Sequence, residues 1–137
     1  MTMKVRYEFT EVTNLEQALY DTLLKFNGDL ADCVIAVEED ADVLFKPSQV
    51  SSPVQEALEE EHAAVEVDLC EFLRLLSSMV QMSDGHVTIR RSPTDPEIIF
   101  DLRVVDSSFA LVETENHAIL QAFESRLTGA RRSKTEF

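Results

Sequence analysis

Catalysis, metal binding or recognition in this chain would have to start from two short groups of carboxylates: Glu38, Glu39, Asp40 and Asp42, then Glu56, Glu59, Glu60 and Glu61. Such groups can hold a hard cation, move protons, or present a negative surface to a basic partner. A calcium loop spreads its ligands through a loop with a glycine at the sharp bend. No glycine occurs between Gly28 and Gly85, so the first group reads as a solvated turn. Glu59 and His62 stand three apart, as in dimetal carboxylate bundles, but those sites need two such pairs on inward-facing helices. This pair lies in a stretch with almost no apolar stripe. No metal and no cofactor is expected.

The other chemistry-bearing residues argue against an enzyme. His62, His86 and His117 fall at the edges of elements, and no serine lies on a Gly-X-Ser-X-Gly elbow. Cys33 and Cys70 both have apolar neighbours, so both read as buried free thiols, as in a cytoplasmic protein. None of the three glycines belongs to a phosphate-cradling loop. Arg90, Arg91 and Arg103, with Arg131, Arg132 and Lys134 near the C-terminus, are the only hint of phosphate contact. The field of the whole chain has the wrong sign for it. The strand arginines are expected to pair with Glu97, Asp101 or Glu113 across neighbouring strands.

The charge is segregated. There are 26 acids and 12 bases, and residues 29–71 hold 13 of the acids with Lys46 as their single base. That segment carries −12 of the −14 net charge. A concentrated negative field attracts basic partners and repels nucleic acid and anionic membrane. Crowded carboxylates also repel one another, a cost that a binding role would explain. No apolar run approaches the roughly 18 residues of a membrane span. The opening Met1-Thr2-Met3-Lys4-Val5 alternates and lacks the apolar core of a secretory signal.

The elements that must position these groups follow from periodicity. Met3, Val5, Tyr7 and Phe9 alternate with polar residues, as in a half-buried strand. Thr13 and Glu16 have capping-box spacing before a helix that Gly28 stops. Cys33–Val37 reads as a buried strand, with Val43–Phe45 as its hairpin partner across the acids. Residues 46–53 form a loop, and Ser52 with Pro53 opens a short solvated helix. Asp68 caps an amphipathic helix of Leu69, Phe72, Leu73, Leu76, Met79 and Val80, ended by Ser83-Asp84-Gly85. Val87–Ile89, Ile98–Val105 and Phe109–Glu113 make a three-stranded meander. Asn116 then caps a last helix with Ile119, Leu120, Phe123 and Leu127 as its stripe.

The expected architecture is a single α+β domain over residues 1–129, followed by a disordered basic tail at 130–137. Its antiparallel sheet would comprise the N-terminal strand, the hairpin and the C-terminal meander, with helices packed on one face. In size, charge and architecture the chain is similar to toxin-neutralising immunity proteins and to phage-encoded inhibitors of host defence, a likeness that covers no specific motif. It implies a stoichiometric inhibitor docking the eight carboxylates on a basic toxin, nuclease or effector. An acidic secretion chaperone and a DNA mimic are the alternatives. Direct nucleic-acid or membrane binding is not expected, and a homodimer is allowed.

Overall fold

The computed structural model describes residues 2–47 and 52–133. The chain runs β1 (Met3–Phe9), α1 (Leu15–Lys25), α2 (Asn27–Leu30), β2 (Val34–Val37), β3 (Asp42–Phe45), α3 (Pro53–Glu59), β4 (Val65–Val67), α4 (Leu69–Ser78), β5 (Met79–Arg90), β6 (Ile98–Val105), β7 (Phe109–Thr114), α5 (His117–Arg126) and β8 (Ala130–Arg132). The sheet order is β4-β2-β5-β6-β7-β1-β8, with β3 beside the first half of β5. Every pairing is antiparallel. The α+β class and the β5–β6–β7 meander are as the sequence predicts.

Alternation along the strands sends one side chain in two to the core. Val5, Tyr7, Ile35, Val37, Val87, Ile89, Phe100, Leu102, Val104, Ala110 and Val112 are buried on one face of the sheet. The stripes of α1 (Leu15, Ala18, Leu19, Leu23), α4 (Leu69, Phe72, Leu75, Leu76) and α5 (Ile119, Leu120, Phe123) join them in one cluster. Phe123 meets both Tyr7 and Phe100 edge-on, with ring centres 6.1 Å apart in each pair. The expected caps form: Ser52 Oγ accepts from Gln55 N–H, Asp68 Oδ1 from Glu71 N–H and Asn116 Oδ1 from Ile119 N–H. The opposite sheet face carries Lys4, Arg6, Glu8, Arg103 and Glu113 and stays solvated, as antiparallel sheets allow.

The hairpin between β2 and β3 does not form. Val34–Val37 lies opposite Arg90–Val87, and Asp42–Phe45 lies opposite Asp84–Met79. The two strands therefore run the same way along β5, as one interrupted strand. Residues 38–41 are an excursion of four residues against two, Gly85 and His86. Glu38 N–H still reaches His86 O at 3.0 Å, and Asp40 takes the left-handed conformation (φ 66°) that loops the chain outward. Asp tolerates that region better than most residues.

β5 can template both segments because α4 ends early. Met79 is already extended (φ −85°, ψ 131°), and the strand passes through Ser83-Asp84-Gly85 without turning. The Met82 side chain packs over Gly85, filling the space that a Cβ there would take. The N-cap of α1 is Asn14, and Thr13 Oγ1 instead donates to Thr128 O at 2.8 Å. Cys33 is buried as expected, but Cys70 is exposed, because it falls off the Leu69–Phe72–Leu76 stripe of α4.

The expected disordered tail is corrected over residues 130–132. They pair with β1 as β8, and Ser133 N–H donates to Arg6 O at 2.7 Å. β1 would otherwise be a bare edge, and this ladder covers its outer side over Arg6–Phe9. Residues 134–137 of that tail, and 48–51 of the expected loop, lie outside the described residues.

Candidate functional site

The excursion at 38–41 and the end of α3 meet. Leu58, 1 % exposed, anchors α3 to the core. Past the helix, His62 is left-handed (φ 51°), and its carbonyl accepts Asp40 N–H at 2.8 Å. His62 Nδ1 donates to Ala41 O at 2.9 Å, which places the ring proton on Nδ1 because a carbonyl only accepts. Glu59 Oε2 accepts Phe45 N–H at 3.0 Å. Three bonds thus join β3 and its excursion to α3, so two groups separate in sequence become one surface.

All eight carboxylate residues of the two groups are exposed. Glu59 has a structural task as well. Glu38, Glu39, Asp40, Asp42, Glu60 and Glu61 form no ion pair with any described residue. The surface also extends to positions that no sequence pattern marks. Asp42 lies opposite Asp84 in the β3–β5 ladder, and Asp84 Oδ1 accepts Asp106 N–H at 2.8 Å. Only the strand pairing reveals this. Among the described residues, no three His, Cys, Asp or Glu side chains converge to hold a metal ion. The arrangement is a spread of negative charge, suited to attracting a large basic surface.

A second polar group lies on the solvated sheet face. His86 Nε2 donates to Asp101 Oδ1 at 2.7 Å, and Arg103 Nη2 donates to His86 Nδ1 at 3.3 Å. Both ring nitrogens are engaged, and no hydroxyl or thiol among the described residues bonds to the ring. Arg103 thus pairs with His86 rather than with the acids expected. Arg6 stacks 3.9 Å over the Phe109 ring and lies 3.3 Å from Glu8.

A cleft of about 390 Å³ runs along β5 between Val80 and Met82, the segment after β1, and the first turn of α1. Glu16 closes no capping box. Its Oε1 crosses to accept Met82 N–H at 3.0 Å. Burial pushes the Glu16 carboxyl above the usual range, and the bonds from backbone N–H groups, Met82 among them, partly oppose this. Val12 (95 % exposed) and Val80 (50 %) flank the opening. The chain on either side of Val12 is tied down: Thr10 N–H donates to Gly129 O, Asn14 Nδ2 to Arg126 O, and Thr128 N–H to Asn14 Oδ1. Gly129 is left-handed (φ 74°) and packs against the Val12 carbonyl, so a side chain there would clash.

Two further groups titrate abnormally for structural reasons. Tyr7 is raised by burial and then by Glu124, whose Oε1 accepts its hydroxyl at 3.1 Å. Cys33 is raised by burial, against the pull of Arg91.

No family model, no curated protein and no solved structure matches this chain.

Proposed function

We propose that the protein is a stoichiometric binding protein that docks its acidic surface on a basic partner, as an inhibitor or immunity protein docks on a toxin, nuclease or host-defence effector. One observation carries this reading. The excursion of β2–β3 and the end of α3 are fastened together by the Asp40–His62 and His62–Ala41 bonds, which assemble six exposed carboxylates that form no ion pair with any described residue. A fold gains nothing from holding like charges side by side. A partner's lysines and arginines would relieve that repulsion on binding, speed encounter, and leave register to nearby apolar anchors.

Affinity capture from the native cell tests this, using the wild-type chain beside a Glu38→Lys/Glu39→Lys/Glu60→Lys/Glu61→Lys variant. A basic protein retained by the first and lost by the second supports the proposal. The same proteins on both chains would refute it.

A second reading, an acidic chaperone holding an extended segment of a client, is favoured by Val12 and Val80, which stand exposed beside the cleft.

A further inference from the structure

Among the described residues half of β5 pairs with a strand on one side only, although Ser107 N–H reaches Ser83 O at 2.8 Å on the other. Met79–Asp84 pairs with β3, whereas β6 begins its pairing at Gly85. Among the described residues the other edge meets no strand along Val80–Met82, and it faces the cleft of about 390 Å³. Edge strands leave main-chain donors and acceptors that demand partners. Here Met82 N–H finds one in the Glu16 carboxylate, which occupies the place of a neighbouring strand's carbonyl.

We propose that this edge accepts an extended, positively charged peptide strand, whose carbonyl replaces Glu16 on Met82 N–H while Glu16 turns to the incoming cation. Strand addition draws affinity from main-chain bonds and specificity from alternate side chains. Both are provided for. Val12 and Val80 offer an apolar rim to one set of side chains. The ionisable groups lining the cleft, Glu11 and Glu16, are both acids, and Asp84 and Asp106 lie beyond Ser107 at its end. A basic occupant is therefore favoured and an acidic one repelled. The Gly129 and Asn14 bonds already tie the chain on both sides of Val12. The inference rests on the basic-partner reading only for the sign of the occupant's charge.

The test is a titration of the full ¹⁵N-labelled chain with a capped hexapeptide alternating lysine and valine. Amide shifts should be centred on Val12, Glu16 and Val80–Met82. Methylating the peptide's backbone nitrogens at alternate residues should weaken binding about tenfold, the equivalent of roughly one good hydrogen bond. Val80→Lys, at a half-exposed site that tolerates polar residues, should abolish the cleft shifts. A glutamate–valine peptide should give none. Shifts confined to residues 38–42 and 59–62 would overturn the cleft while leaving the acidic-surface reading intact. Cleft shifts indifferent to N-methylation, or matched by the acidic peptide, would overturn strand addition. No shift at the cleft at any peptide concentration would mean that Glu16 is a permanent plug of the edge, and would also overturn it.

Discussion

Replacing Glu59 by alanine separates the structural carboxylate of the acidic surface from the purely electrostatic ones. Its Oε2 takes the N–H of Phe45, a residue only 4 % exposed on β3. A hydrogen bond from a backbone donor to a charged acceptor contributes about 1.5–3 kcal/mol. Glu59 itself is exposed, so water can partly replace it, and the lower end, about 1–2 kcal/mol, is the reasonable expectation. For a chain of this length that corresponds to a fall of about 3–8 °C in Tm. Loss of one negative charge from a crowded surface offsets some of this. Glu61→Ala gains the same relief without losing a bond, and the difference between the two variants isolates the hydrogen bond. Glu59→Gln, which keeps an acceptor, should recover about half or more of the loss. Urea denaturation at neutral pH measures all three. A Glu59→Ala stability within about 0.5 kcal/mol of Glu61→Ala, the ordinary scatter of surface substitutions, would refute the reasoning.

Other outcomes follow from the same geometry. Glu16→Gln keeps the bond to Met82 N–H but cannot ionise. Because the folded Glu16 carboxyl is raised, its favourable contribution is present below the ordinary glutamate value of about 4.3 and is lost as pH rises through the folded value. The stability of Glu16→Gln relative to wild type should therefore climb with pH across that window, and a difference flat with pH would refute it. Ending the chain at Gly129 removes the β8 ladder, the Ser133–Arg6 bond and the Arg132–Glu124 pair. It should cost about 2–4 kcal/mol by denaturation, and a loss below about 0.5 kcal/mol would show that β8 does not dock. Phe100→Ala empties a fully buried site against Phe123 and should cost about 3–5 kcal/mol, with a loss below about 1 kcal/mol contradicting the packing.

Local pattern revealed much of the fold. Alternation located β1, β6 and β7, and the Ser52, Asp68 and Asn116 caps form where their spacing placed them. What sequence periodicity does not encode is the partner. Val34–Val37 and Val43–Phe45 look the same whether they pair with each other or both with β5. Met79 and Val80 continue the helical period of α4, yet the ladder with β3 makes them strand. Glu16 has capping spacing, but an unpaired strand donor across the cleft is the stronger claim on its carboxylate. The acids were legible as a composition. Their assembly into one surface depends on His62 and on the excursion, and the extension to Asp84 and Asp106 depends on strand register.

The central claim is that a particular surface, rather than net charge, recognises a basic partner. Association kinetics with the captured partner test it most directly, on Glu38→Lys/Glu39→Lys/Glu60→Lys/Glu61→Lys. Asp40 is left unchanged because its left-handed backbone disfavours lysine, and Glu59 because of its bond to Phe45. The matched control, Asp29→Lys/Asp32→Lys/Glu97→Lys/Glu115→Lys, changes the net charge equally at exposed positions elsewhere. The surface variant should associate about tenfold or more slowly at low salt, with dissociation changed far less, and the gap should close as the Debye length falls below about 10 Å. Equal slowing by variant and control, or no slowing by either, would contradict the account.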